Sequence, residues 1–184
     1  MTDEGDAHIR CKFDISWRLI RQFSLWYRRL GAMGTIPFTF GGVTSDHRQV
    51  SIILSGLPFD EIAQREFLIW LCREEDIAAY VHGAHVVSSR PSETPTEGLM
   101  LHASSILFNI CEMQKIRRDE QGHIEYSVPK FYAADADGDD RQTVFHQLQR
   151  DDHAFSREAS QHYSQVWQHI RDKCLWLDLR TTAH

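Results

Sequence analysis

The sequence predicts an α+β protein, a single domain over residues 1–184 in which a mainly antiparallel sheet of five to six strands packs against a buried central helix, flanked by amphipathic N- and C-terminal helices. Three observations predict it. The elements run helix, two strands, helix, about four strands, helix, and this suits helices gathered on one face of an antiparallel sheet better than a doubly wound sheet. The run Phe67-Leu68-Ile69-Trp70-Leu71-Cys72 sets apolar side chains on every side of a helix, so that helix must be buried over most of its circumference. The two ends of the chain each carry an apolar stripe at three- and four-residue spacing.

Residues 1–9 are polar and are expected to fray. Over residues 14–30, Ile15, Leu19, Ile20, Phe23, Trp26, Tyr27 and Leu30 form one apolar face, and Gly31 ends the helix. Residues 36–40 and 50–54 read as two strands of a hairpin, with Gly41-Gly42 in the connection and Pro37 pushing the first strand towards an edge. The central helix, about residues 58–76, opens with Asp60 and Glu61, which suit the positive end of its dipole. Residues 78–88 read as a strand and 90–98 as a loop. Residues 99–103 and 106–118 read as further strands, and Asp119-Glu120-Gln121-Gly122 as a hairpin turn returning through residues 123–132. Residues 133–152 read as an acidic loop region with a short helix near 144–149. Ser156 caps a last helix whose stripe, Ala159, Tyr163, Val166, Trp167, Ile170, Cys174 and Leu177, is strictly periodic.

Composition is that of an ordinary globular chain, 42% apolar and 25% charged. The formal charge of −6 argues against wholesale coating of nucleic acid. Cys11, Cys72, Cys111 and Cys174 are scattered without metal-ligand spacing, which suits reduced thiols in a cytoplasmic protein. The acidic N-terminus has no apolar leader, and no stretch approaches the roughly eighteen apolar residues of a membrane span. No cofactor is expected, since glycine clusters followed by Lys-Ser/Thr are absent, as is a G-x-S-x-G nucleophile elbow.

Two constellations compete for function. His82, His85 and His102 could form the nucleus of a metal-dependent hydrolase, with a further ligand from Asp76, Glu93 or Glu97. On a regular strand, however, positions 82 and 85 project from opposite faces, so they converge only if Gly83 occupies a bulge. His162 and His169 share a helical flank but stand about 10.5 Å apart along the axis, too far for one ion. Asp135-Ala136-Asp137-Gly138-Asp139-Asp140 starts like a calcium loop but lacks its glycine and its final glutamate, and is expected to be a solvated acidic loop. Glu112 and Lys115 are three apart, one too many for the acid-x-lysine core of a nuclease.

The second constellation is on the first helix. Arg18, Arg21, Arg28 and Arg29 fall within one sector of about 100°, with Trp17 and Leu25 on or beside it. Residues 1–48 carry a balance of +2 and the remainder −8. Such a face suits an acidic partner, either a protein or a nucleic-acid backbone, with Trp17 as an apolar or stacking anchor. The plain alternative is that the arginines lie over apolar surface and pair with the chain's own acids, such as those of residues 135–140. A homo-oligomer with exposed aromatic residues at its interface is a third class. The sequence favours a non-catalytic binding or adaptor protein using the arginine face.

Overall fold

The computed structural model describes residues 3–31, 34, 36–88, 95–105, 108–135 and 154–179. Along the chain the elements are α1 (Asp3–Gly31), β1 (Thr39–Thr44), β2 (Arg48–Ile53), α2 (Glu61–Glu74), β3 (Ile77–Ser88), β4 (Thr96–Ser105), β5 (Phe108–Arg118), β6 (Ile124–Tyr126), β7 (Lys130–Asp135), α3 (Arg157–Arg171) and β8 (Leu175–Asp178). The fold is α+β, and its eight strands form one antiparallel sheet in the order β6-β5-β4-β3-β1-β2-β8. β6 and β7 lie end to end along the outer edge of β5, β6 beside residues 116–118 and β7 beside residues 108–113.

The sheet, and not a helix, is the middle layer. Alternation of side chains across each strand feeds two separate apolar clusters. Leu19, Ile20, Phe23 and Tyr27 of α1 pack on Val43, Val81, Leu99 and Leu101 on one face. The run Phe67–Cys72 of α2 and Tyr163 and Trp167 of α3 pack on Phe40, Val50, Ile52 and Tyr80 on the other. The expected strand count of five to six and the placing of helices on a single face are therefore corrected. The α2 run is buried at all six positions, as its composition requires. It achieves this beside α3 on one face of the sheet, rather than between sheet and both outer helices.

Gly41 and Gly42 lie inside β1, where a turn was expected. A Cβ at Gly41 would collide with the Phe23 ring, and one at Gly42 would come within 2.8 Å of Ile77, so the pair lets α1 and a neighbouring strand approach the backbone closely. Gly83 has the same role. Its missing side chain leaves room for the Tyr27 ring, whose Oη lies 2.9 Å from Gly83 O, 2.6 Å from Pro37 O and 2.5 Å from Thr39 Oγ1. The Tyr27 proton goes to one carbonyl at a time while Thr39 donates to the phenol oxygen. Burial raises the Tyr27 pKa well above the usual phenol value, so the group stays neutral.

Helix ends follow the local chemistry. Asp60 caps α2 by accepting from Ala63 N at 2.8 Å, and Ser156 caps α3 by accepting from Ala159 N at 3.1 Å. Two hydrogen bonds join these helices: Tyr163 Oη donates to Glu66 Oε2 at 2.8 Å, and Trp167 Nε1 donates to Glu75 Oε1 at 2.7 Å. Burial, reinforced by Glu66, pushes the Tyr163 phenol up to about 12. Gly122 has φ +85° in the β5–β6 turn, the left-handed position expected of it.

Several boundaries differ from expectation. α1 begins at Asp3, inside the stretch expected to fray. β4 takes in residues 96–98, expected as loop, and the return after Gly122 is split into β6 and β7, the latter reaching Asp135. α3 stops at Arg171, and Leu177 belongs to β8, which had not been expected. The short helix at 144–149 and the acidic run 136–140 lie outside the described residues.

Candidate functional site

Helical geometry puts Leu19, Ile20, Phe23, Ser24 and Tyr27 against the sheet and turns Arg18, Arg21, Arg28 and Arg29 outwards, all four exposed. Leu25, in the same sector, is 61% exposed, so an apolar side chain stands among the guanidinium groups. Among the described residues none of the four arginines makes an ion pair within 4 Å. Whether they meet the acids of residues 136–140 lies outside the described residues.

Trp17 is placed differently from the anchor that was expected. It is half-buried, its ring centroid 5.0 Å from that of Phe131 on β7. Phe131 keeps 45% exposure there, whereas Tyr132, the next residue of the strand, projects from the opposite face. An aromatic surface therefore adjoins one flank of the arginine face, with Phe131 sharing the part assigned to Trp17.

Beneath that flank lies a polar cluster with no local signature in the sequence. Ser24 Oγ donates to Glu112 Oε1 at 2.8 Å, and Gln114 Nε2 donates both to Ser24 Oγ at 3.0 Å and to Glu112. Arg28 Nη2 donates to Gln114 Oε1 at 3.3 Å. Burial raises the Glu112 pKa above the usual carboxylate value, while the Ser24 and Gln114 hydrogen bonds and the Arg28 charge hold it down in part. The only sequence signal was Glu112 and Gln114 two apart, hence on one face of a strand, between Ile110 and Ile116, which are buried on that face. Lys115 is exposed on the opposite face, so no acid-lysine pair forms there.

The histidines separate as strand alternation requires. β3 pairs with β4 in unbroken register from Ala79 to Ser88, so Gly83 is not a bulge. His82 lies directly opposite His102, their ring centroids 5.1 Å apart, with Phe38 and Tyr80 beside His82. His85 projects from the other face and meets Glu97 at 3.0 Å, and that carboxylate oxygen also accepts from Arg118 at 3.3 Å. Burial and the facing His102 lower the His82 pKa to about 3, keeping the imidazole neutral. Two of the three expected ligands thus come together and the third does not. Among the described residues no three His, Cys, Asp or Glu side chains are grouped to hold a metal ion. His162 and His169 are exposed on α3. Cys72 is buried, with its thiol pKa raised by burial, and it, Cys111 and Cys174 are free thiols.

A third feature was not anticipated. A cleft of about 400 Å³ opens where the sheet runs out past β8, between the Gln22 and Trp26 flank of α1, the end of β2 and the C-terminal end of α3. No helix among the described residues is long and apolar enough to cross a membrane. Compared with protein-family models, with curated proteins and with solved structures, the chain finds no match.

Proposed function

We propose that the chain is a non-catalytic binding protein that engages an acidic protein surface through the outer face of α1. The observation that carries this reading is the set of four exposed arginines around an exposed leucine, with no ion pair to a described carboxylate. Arginine is enriched in protein interfaces because its planar fork forms paired hydrogen bonds with carboxylates and its stem covers apolar surface. An apolar residue ringed by arginines can supply burial while the charges set orientation and encounter rate. The net charge of −6 favours a protein over a nucleic-acid partner, since the remainder of the chain would repel a long polyanion.

Arg18 and Arg29 are the informative positions, because both point away from the sheet while Arg28 also touches Gln114. Affinity capture from native lysate is compared for the unchanged chain and for Arg18→Glu with Arg29→Glu, after nuclease treatment. Expected is a set of acidic proteins that elutes with salt and is absent from the charge-reversed capture, at unchanged far-UV circular dichroism and melting temperature. Identical captures for both forms would overturn the reading, as would a capture that disappears with nuclease alone.

A further inference from the structure

The cleft past β8 has features that the arginine face does not explain. β8 pairs with β2 only from Arg48 to Ser51, so β2 continues to Ile53 without a neighbouring strand on that side among the described residues. Leu54 N donates to Phe38 O at 2.8 Å, which sets the even-numbered residues of β2 towards β1. The N–H and C=O of Ile53 consequently face the cleft. A single residue of open edge is too short to template an added strand, but it offers a donor and an acceptor in an otherwise apolar wall.

The side chains agree with a small ligand. Ile53 and Leu175 are 52% and 57% exposed at the rim, although both belong to the sheet, and Trp26 and Ile170 line the interior walls. Lys173 is the one charged side chain among the described lining residues, with Gln22 as the polar lining residue on α1. Its Nζ lies 3.1 Å from His169 Nε2 one turn back, a contact that occupies at most one of the three ammonium protons. The volume falls in the usual range for small-molecule sites, which are mostly apolar with a few convergent polar groups.

We propose that this cleft binds a small amphipathic acid, an apolar body seated against Trp26, Ile53 and Leu175 with one carboxylate held by Lys173. A carboxylate suits the site because Lys173 has no ion pair to an acid among the described residues and is left to be neutralised by the ligand, and an apolar tail suits it because the two rim residues gain cover. None of the four arginines lines the cleft, and Arg21 and Arg28 lie on the far side of α1 from Trp26.

The test is titration calorimetry with three probes below their micellar concentrations: decanoate, dodecanoate and indole-3-acetate. Decylammonium serves as the charge-reversed control. Expected is saturable one-to-one binding of at least one of the acids and none of decylammonium. Affinity should drop tenfold or more in Lys173→Gln and in Leu175→Glu, both at exposed positions, with the melting temperature of the free protein unchanged. Failure of all three acids to bind the unchanged chain overturns the proposal. So does binding that survives both substitutions, or equal binding of decylammonium. Arg21→Glu, on the arginine face but about 140° around α1 from Trp26, should leave acid binding intact, which separates this result from any failure of the partner reading.

Discussion

A protonated imidazole at His82 would face a second imidazole and the rings of Phe38 and Tyr80, and that single residue gives the fold a pH dependence. The folded-state pKa lies near 3 against an ordinary 6.5. As the pH falls through that interval, the unfolded chain takes up a proton that the folded chain refuses. Stability from this residue is thus fully present above about pH 6.5 and declines below it by up to about 1.4 kcal/mol per pH unit. Glu112 acts in the opposite sense: its raised pKa means that stability is lost as the pH rises out of the ordinary carboxylate range. Replacing His82→Phe keeps a ring beside Tyr80 and removes the titration. Urea unfolding at pH 7, 6, 5 and 4 should then show a shallower acid decline for the variant, and parallel curves for the two proteins would refute the assignment. The separation of His82 from His85 was legible because strand alternation is a local rule. Ser24 and Glu112 were not paired in advance, since they are 88 residues apart and nothing near either one announces the other.

At the scale of elements, the helices were more legible than the strands, for a physical reason. Amphipathic spacing marks a helix by itself, and the face of α1 and the cap and stripe of α3 appear in the structure as the spacing required. The glycine pair of β1 misled because such pairs are common in turns, whereas here the empty Cβ positions receive Phe23 and Ile77 from elsewhere in the chain. β8 was hidden because its four residues follow α3 closely and Cys174 and Leu177 happen to continue the helical stripe. The seat of α1 on β3 makes a measurable demand. Gly83→Ala forces a methyl group into the Tyr27 ring and should cost about 1–3 kcal/mol, read as a lower urea midpoint. An unchanged midpoint would mean that the helix does not bear on that strand.

For the whole molecule, the class α+β and the antiparallel habit were legible, while the layer order was not. Composition can show that Phe67–Cys72 must be surrounded, but not whether a sheet or a helix occupies the middle, because that depends on which face of each strand meets which helix. Placing the sheet at the centre gives each face an apolar cluster and leaves its two edges to water, together with side chains such as Lys115 and Tyr132 on the face away from α1. On the β2 side that edge is closed over four residues by β8 alone, which the chain supplies immediately after α3. Ending the chain at Asp172 would therefore bare the whole length of β2, a flat strand carrying Val50, Ile52 and Ile53 with unpaired amides, and such an edge invites the same edge of another molecule. Light scattering should find the shortened protein self-associating, as dimers or larger assemblies, at concentrations where the full chain keeps its original mass. An unchanged mass would show that β8 is dispensable. Self-association on its removal would make those four residues a chaperone built into the tail, guarding the molecule against its own copies.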